Sequence, residues 1–393
     1  MLPRLLIRLV AAASLMLVGL APAHAAPARQ SGSLTLWHAW TGAEQEALQS
    51  AVGAFASNNP AIQVNLLQVP FDQLKNKFTV EASTGGGPDL LIGPKDWIGE
   101  LAQANLIQAM DDVAPDLLAT LNPAAVTADS YKGKVWAVPE STEAMALFYN
   151  TSKVAAPPTS VDELLAMAPD SGVAINSGFY QYSGFIFASG GRLFDDNQKV
   201  VLNEGGTTGA LAWLRDAKGR PGVTVDADGS KLDALFKDGH VGMIFNGPWA
   251  TGDYAKALGK DHVAIAPPLR VSDSGTTFAP FLGTKNVFLS ATAQNQEASL
   301  AFIRYLVSPE VQTTMAETAG HIPANPSASL ADPILTGFLM QTQSATYFPN
   351  EPEMGAVWTP ASDMITKVVE GKSSPEAAVT EATDTINRAN KKS

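Results

Sequence analysis

The chain has 393 residues, which is enough for two domains of ordinary size. Hydrophobic residues make up 46% and charged residues 16% of it, a composition that excludes an intrinsically disordered chain. The formal net charge is −12, and the 26 lysines and arginines form no basic cluster before the last few residues, which argues against binding to nucleic acid.

Residues 1–25 have the pattern of a secretory signal peptide. Arg4 and Arg8 precede the apolar run LVAAASLMLVGL, and a small-residue A-x-A site ends at Ala25. The alternative is a membrane anchor, but a span needs about 20 apolar residues and this run is shorter. We expect cleavage near Ala25 or Ala26. Loss of the two arginines would take the net charge from −12 to −14.

The sequence contains no cysteine. This excludes a disulfide framework, thiolate chemistry and zinc–sulfur sites. It also excludes the lipid-bearing cysteine of a bacterial lipoprotein. We therefore expect the mature protein to be periplasmic or secreted, without a lipid anchor and without membrane insertion.

The first predicted elements form a strand–helix–strand unit. SLTLW (33–37) is a short β-type run, and Thr41 with Glu44 fits a capping box that would begin a helix. Asn58 and the residues after it end that helix, and IQVNLLQV is the next strand. Such a unit is typical of a parallel sheet.

The alternation of helices and strands continues to the end of the chain. In chain order we predict a helix LKNKFTVEAS, a turn GGGPD, a buried strand LLIG, a helix starting at Asp96, strands KVWAVPE and AMALFYN, a helix with a capping box at Ser160–Glu163, a helix KLDALFKDG, a buried strand VGMIF, a helix over 294–307, and two helices that begin Ser-Pro at 308 and 374. No flexible linker stands out, so we expect two α/β lobes packed on one another.

Motifs for metal, phosphate or nucleophilic chemistry are absent from the sequence. The five histidines are far apart, and neither a Walker pattern nor a G-x-S-x-G elbow occurs. We therefore predict no metal ligands, no cofactor and no catalytic residue. A spatial pair of carboxylates, as in glycoside hydrolases, stays open because sequence spacing does not reveal it.

The placement of tryptophan points to a ligand. Five tryptophans lie near turns, beside glycine, proline or acidic residues, and not in apolar periodic runs: Trp37, Trp40, Trp97, Trp249 and Trp358. Exposed ring edges next to carboxylates suit carbohydrates, since the apolar face of a sugar packs on the ring while its hydroxyls bond to the acidic groups. This pattern favours a sugar-binding site.

Four segments resemble one known family in family order. They are GGGPDLLIGPKDWIGELA (85–102), TEAMALFYN (142–150), NGPWA (246–250) and PNEPEMGAVW (349–358). On these segments the chain, from Ser33 to about Ala389, resembles the periplasmic solute-binding proteins of ABC sugar importers, specifically the maltose/maltodextrin-binding group.

The resemblance implies an α/β, two-lobed periplasmic-binding-protein fold of type II, with the ligand cleft between the lobes. It implies an N-lobe of residues 27–142 plus 285–330 and a C-lobe of residues 143–284 plus 331–393. The chain would cross between lobes near Thr142–Glu143 and near Leu282–Gly283.

The resemblance also implies ligand-binding residues. Asp96 matches a position that binds sugar hydroxyls, although it also suits the N-cap of the following helix. Glu143 matches a carboxylate at the hinge. The aromatic positions matched are Trp97, Tyr180 (with Tyr182 as its alternative), Trp249 and Trp358.

The first loop, HAWTG, departs from the family because it lacks a charged pair that some members carry there. Trp40 or Glu44 would take that role. For Glu44 the capping box is an equally good explanation.

The function implied is capture of maltose or maltodextrins by hinge closure and delivery to the permease subunits of an ABC transporter. We expect a monomer that catalyses no reaction. Three alternatives stay open: another sugar such as trehalose, a glycerophosphodiester-type solute, or a secreted carbohydrate-active enzyme.

Overall fold

The computed structural model describes residues 31–271 and 275–392, so the predicted signal peptide lies outside the described residues. The strands are β1 (Gly32–His38), β2 (Ile62–Gln68), β3 (Leu90–Pro94), β4 (Ser130–Tyr131), β5 (Lys134–Val135), β6 (Val138–Glu143), β7 (Ala146–Asn150), β8 (Val173–Asn176), β9 (Val223–Asp226), β10 (Met243–Asn246), β11 (Val263–Ile265), β12 (Phe281–Leu289), β13 (Ile322–Pro323) and β14 (Thr346–Tyr347).

The helices between them run along both sheets. They are α1 (Gly42–Asn58), α2 (Phe71–Ser83), α3 (Ile98–Gln103), α4 (Met110–Val113), α5 (Pro115–Leu118), α6 (Pro123–Ala128), α7 (Val161–Ser171), α8 (Phe179–Ala188), α9 (Thr207–Lys218), α10 (Gly229–Lys237), α11 (Thr251–Leu258), α12 (Gln296–Leu306), α13 (Pro309–Ala319), α14 (Pro333–Thr342), α15 (Trp358–Val369) and α16 (Pro375–Ala389). Short 3₁₀ turns cover Lys95–Trp97, Pro248–Ala250, Lys260–His262 and Pro352–Ala356.

Two main sheets form the centres of two lobes. The first has the order β13-β6-β12-β3-β1-β2, with β14 paired to β12, and the second has the order β11-β7-β10-β8-β9. In the first sheet, β1 is parallel to β2 and β3, while β12 is antiparallel to β3 and β6. β6 belongs to the first sheet and ends at Glu143, whereas the next strand, β7, belongs to the second sheet and begins at Ala146. Glu143 therefore lies where the chain passes from one lobe to the other.

Each sheet has its own apolar core. Leu36, Leu48 and Phe302 belong to the core on the first sheet. Phe185 and Leu211 belong to the core on the second. None of the described helices has both the length and the apolar character needed to cross a bilayer.

Three of the predicted helix starts are confirmed by their caps. The hydroxyl of Ser160 accepts from the Glu163 N–H, which confirms the N-cap. The Glu163 carboxylate accepts from the N–H of Thr159 at 2.7 Å, one residue before the bond that a capping box would make. Ser308 and Ser374 likewise cap the helices that follow them.

The capping box predicted at Thr41 and Glu44 is wrong. Helix α1 begins at Gly42, but the Thr41 side chain makes no capping hydrogen bond. The N–H of Ala43 instead donates to Oδ1 of Asp253 at 3.1 Å. Asp253 lies on α11, in the other lobe, so a carboxylate from across the molecule replaces the local cap.

The helix predicted to start at Asp96 is also corrected. Lys95–Trp97 is a 3₁₀ turn, and the α-helix begins only at Ile98 and ends at Gln103. Asp96 is not an N-cap, because no side-chain capping bond forms at the start of either element. Its carboxylate has another partner, described below.

Candidate functional site

The end of β3 presents Asp96 to the other lobe. Oδ2 of Asp96 accepts a hydrogen bond from Nε1 of Trp358 at 3.1 Å. Trp358 is the first residue of α15 and packs against the core of the second lobe. Burial raises the pKa of Asp96 to about 7, although the Lys75 ammonium and the indole N–H oppose this effect.

Trp97 follows Asp96 but faces its own lobe. Its ring is 4% exposed, and its centroid lies 5.7 Å from that of the exposed Phe71. The two rings are tilted by 32°. Trp97 therefore belongs to an apolar cluster of the first lobe, where its ring packs against that of Phe71.

Glu143 and Tyr180 form a second polar pair at the passage between lobes. The Tyr180 hydroxyl, near the start of α8, donates to Oε1 of Glu143 at 3.1 Å. Burial raises the pKa of Glu143, against the lowering effects of the Lys285 ammonium and the Tyr180 hydroxyl. Tyr182 is fully buried and donates to the Ala210 carbonyl at 2.6 Å. Tyr180, and not Tyr182, therefore faces the other candidate residues.

Tyr180 is the centre of an aromatic cluster. Its ring centroid lies 6.2 Å from that of Trp249, 6.3 Å from that of Trp358 and 5.7 Å from that of Phe348. Tyr180, Trp249 and Trp358 are all half-buried. A Cβ at Gly247 would lie 2.1 Å from the Trp249 ring, so the glycine allows this indole to fold back over the chain.

Trp40 and Glu44 are connected to the other candidate residues by their contacts with Lys285 on β12. The Lys285 ammonium forms an ion pair with Glu44 and lies 4.0 Å from Oε2 of Glu143. It also lies 5.7 Å from the centroid of the Trp40 ring and 5.4 Å from that of Trp249. Although burial acts to raise the pKa of Glu44, Lys285 and His321 together hold that pKa below its ordinary value.

His321 lies between the carboxylates of Glu44 and Glu140. Its Nε2 is 2.9 Å from Oε1 of Glu44, and its Nδ1 is 2.9 Å from Oε2 of Glu140. The ring also packs edge-on against Trp40, with 5.0 Å between centroids. Burial acts to lower the pKa of His321, but the carboxylates of Glu140 and Glu44 together outweigh burial, so the pKa is raised.

The structure thus brings together most of the residues singled out in the sequence. Trp358 meets Asp96, Tyr180 meets Glu143, and Lys285 links Glu44 to the neighbourhood of Glu143. The expectation of exposed ring edges is wrong for Trp37, Trp40 and Trp97, which are only 4–6% exposed. These three rings are buried in the cores of the first lobe, because Trp37 lies within β1 and Trp40 and Trp97 lie just after strands of the same sheet.

Sequence reasoning missed Lys285, His321 and Glu140. The sequence did contain an indication of Lys285. A single lysine within the apolar strand FLGTKNVFL is unusual, because lysine is rarely buried unless it is paired or functional. His321 and Glu140 are 181 residues apart, so no local spacing joins them. Among the residues that the structure describes, no group of three or more histidines and carboxylates is placed to hold a metal ion.

The two lobes are in contact around this site. Lys256 of α11 forms an ion pair with Glu46 of α1 at 3.0 Å, next to the bond between Asp253 and Ala43. Gly42 has a φ of 53°, and a Cβ there would lie 2.4 Å from the Asp253 carboxylate. Glycine at this position therefore lets the N-terminus of α1 approach the second lobe closely.

Two α/β lobes that meet around aromatic rings and carboxylates define the class of two-lobed binding proteins. The family described as bacterial extracellular solute-binding protein matches residues 50–337. The chain belongs to this family, which confirms the relationship indicated by the four sequence segments.

Proteins of known ligand or known structure are similar to most of this chain. The chain is 30% identical over 344 residues to a maltotriose-binding protein of Pyrococcus abyssi, covering 84% of this chain and 75% of the relative. A maltose/maltodextrin-binding domain of Bdellovibrio bacteriovorus, solved with maltotriose, superposes with a TM-score of 0.86 at 25% identity over 92% of this chain and all of that one. The maltotriose-binding protein of Thermus thermophilus, also solved with maltotriose, gives a TM-score of 0.83 at 30% identity, covering 91% of this chain and all of that one. These relatives are binding proteins by description.

Proposed function

We propose that this protein captures a maltooligosaccharide between its lobes and delivers it to the permease of an ABC importer. The observation that carries the proposal is the half-buried aromatic group of Tyr180, Trp249 and Trp358 beside the carboxylates of Asp96 and Glu143. Aromatic faces pack on sugar rings, and carboxylates accept hydrogen bonds from sugar hydroxyls. The maltotriose ligands of the relatives support the choice of an α-linked glucose oligomer.

The proposed division of labour follows the lobes. We assign residues 27–142 and 285–330 to the N-lobe and residues 143–284 and 331–393 to the C-lobe, with Glu143 at the crossing. Asp96, and Trp97 behind it, would act from the N-lobe, while Tyr180, Trp249 and Trp358 act from the C-lobe. A sugar that touches both sets stabilises the closed form, because its contacts are complete only when the lobes meet.

Trp40 and Glu44 form the remaining part of the proposed site. Glu44 is paired with Lys285, and Trp40 flanks the same ammonium. Both residues therefore lie close enough to Glu143 to share one ligand with it.

The charges of the site favour a neutral ligand over a phosphodiester. Lys285 has the carboxylates of Glu44 and Glu143 on either side of it, and Asp96 adds a further carboxyl group beside Trp358. Lys95, the lysine of the segment GGGPDLLIGPKDWIGELA, is fully buried with its ammonium 4.4 Å from the centroid of the Tyr347 ring. An anion would meet more negative than positive charge.

We further propose that the protein acts as a monomer in the periplasm or outside the cell, without a lipid anchor, and that it catalyses no reaction. Prolonged incubation with maltotriose tests the last statement. Unchanged sugar by chromatography is the expected result, and cleavage products would identify an enzyme.

The test of the function is a thermal-shift screen. Maltose through maltoheptaose should each be compared with trehalose, cellobiose and lactose at equal concentration. A ligand present at about 100 times its dissociation constant adds about 2.7 kcal/mol to the free energy of unfolding. We expect stabilisation by maltooligosaccharides. Stabilisation by trehalose alone would change the ligand, and no response to any sugar would contradict the proposal.

A further inference from the structure

Lys285 is a charged residue in the middle of an apolar strand. β12 runs over Phe281–Leu289, and the Lys285 side chain is only 12% exposed. Its ammonium lies between the rings of Trp40 and Trp249, which come from opposite lobes. A lysine in such a place needs partners for its hydrogen-bond donors, because burial of an unpaired charge is strongly unfavourable.

The partners of Lys285 leave part of its donor capacity unused. Each ring nitrogen of His321 faces a carboxylate, Nδ1 that of Glu140 and Nε2 that of Glu44. Both nitrogens therefore act as donors, and Nε2, 3.4 Å from the ammonium, does not accept from it. Among the residues that the structure describes, Glu44 is then the acceptor within hydrogen-bonding distance of Lys285. An ammonium has three donors.

Glu143 lies just beyond reach on the other side. Its Oε1 accepts from Tyr180, while its Oε2 is 4.0 Å from the Lys285 ammonium. That separation is too long for a direct hydrogen bond. Two hydrogen bonds of about 2.8 Å that meet at one hydroxyl oxygen span about 4.5 Å, so a small adjustment would admit a hydroxyl between the two groups.

We propose that Lys285 is a sugar-binding residue that donates a hydrogen bond to one ligand hydroxyl, whose own proton is accepted by Glu143. This inference rests on the proposed function and adds a determinant of specificity to it. Hydrogen bonds to charged groups are stronger than those between neutral groups, so affinity should depend strongly on a hydroxyl that has a charged donor and a charged acceptor. A site built in this way rejects an analogue that lacks the group, since its buried polar atoms are left unpaired.

The first part of the test compares wild type with Lys285→Met by isothermal titration calorimetry with maltotriose. We expect the dissociation constant to rise about 10- to 100-fold, as for loss of a hydrogen bond to a charged group. Circular dichroism reports whether the variant folds. If Lys285→Met does not fold, Lys285→Gln, which keeps an uncharged N–H donor, is used for the same comparison.

The second part separates ligand contact from support of Glu44. Monodeoxy maltoses, each lacking one hydroxyl, are titrated into wild type and variant. If Lys285 binds a hydroxyl, one analogue will bind wild type at least about tenfold more weakly than maltose but will bind the variant nearly as well as maltose does. If each analogue binds more weakly than maltose by the same factor in wild type and in the variant, Lys285 acts only through its neighbours. That result would overturn the inference.

The two failures are distinguishable. Absence of maltotriose binding by wild type would overturn the proposed function and this inference with it. Equal maltotriose affinity of wild type and Lys285→Met would overturn the inference alone.

Discussion

The indole Nε1 of Trp358 donates to Oδ2 of Asp96 at 3.1 Å, although the two residues are 262 positions apart in the chain. Trp358 begins α15 on the second lobe, and Asp96 follows β3 in the first. The bond therefore exists only while the lobes are close together. A sugar hydroxyl that bonds to Asp96 competes with the indole, so the same carboxylate would serve both ligand binding and lobe closure.

The pH dependence of stability should reveal the buried Asp96. Its pKa is raised from 3.8 to about 7 by burial, so the folded protein retains a proton that the unfolded chain has lost. The contribution of Asp96 to the unfolding free energy is fully present below pH 3.8 and falls as the pH rises towards 7, by about 1.4 kcal/mol per pH unit. Chemical unfolding of the sugar-free protein at pH 5 and pH 8 measures this loss.

Asp96→Asn should make that loss smaller. Asp129, whose pKa burial also raises to about 7, contributes in the same direction, so part of the dependence will remain. Asp116→Asn is the matched control, because Asp116 is exposed and its pKa is lowered by Arg304. An unchanged pH dependence in Asp96→Asn would show that the Asp96 carboxyl ionises normally.

Tyr180→Phe should weaken binding of maltotriose. The substitution removes the hydroxyl that bonds to Glu143 but keeps the aromatic ring. A loss of about 5- to 10-fold in affinity corresponds to one hydrogen bond of ordinary strength. Titration calorimetry measures it.

Tyr182→Phe is the control for that experiment. Its hydroxyl bonds to the Ala210 carbonyl inside the C-lobe core, so its removal should lower the melting temperature without changing affinity. The opposite pattern, with affinity lost in Tyr182→Phe and kept in Tyr180→Phe, would exchange the roles of the two tyrosines.

Asp253→Ala should favour separation of the lobes. Asp253 caps α1 from the other lobe, and a helix cap contributes about 1 kcal/mol. Because this energy is available only in the closed form, we expect about fivefold weaker maltotriose binding. Small-angle scattering of the sugar-free variant should also show a larger radius of gyration.

Asp228→Ala provides the comparison. Asp228 caps α10 within the C-lobe, so its loss should reduce stability and leave affinity unchanged. If Asp253→Ala behaves in the same way as Asp228→Ala, the contact between α1 and α11 has no part in closure.

We predict that the His321 ring is protonated in the folded protein, because each of its nitrogens lies 2.9 Å from a carboxylate oxygen. Burial acts to lower its pKa, but the Glu140 and Glu44 carboxylates together outweigh burial and raise the pKa above 6.5. Its contribution to stability is present below pH 6.5 and is lost as the pH rises through the raised value. Nuclear magnetic resonance of the ring nitrogens can follow the titration. A neutral ring at pH 7 would contradict the assignment and would return Nε2 to Lys285 as an acceptor.

Local patterns predicted the elements of this fold well. Ser160, Ser308 and Ser374 cap the helices that follow them directly in the chain. These interactions are local, so neighbouring residues were enough to predict them. The cap of α1 was mispredicted because its true partner, Asp253, is 210 residues away. Thr41 and Glu44 had the right spacing, but Lys285 and His321 hold the Glu44 carboxylate elsewhere.

The candidate site divides in the same way. Trp249 and Trp358 could be singled out in the sequence because tryptophan is conspicuous beside turn residues. Lys285 was missed because one lysine in a strand has no motif. Burial could not be read from the neighbours of Trp40, since its surroundings include His321 from a distant helix end.

Binding of a maltooligosaccharide between the lobes can be measured by titration calorimetry of the wild type with maltotriose. We predict a saturable isotherm with one sugar per chain and micromolar or tighter affinity, lost or greatly weakened in Trp358→Ala. The absence of binding heat for every sugar from maltose to maltoheptaose, across several temperatures, would contradict the proposed function.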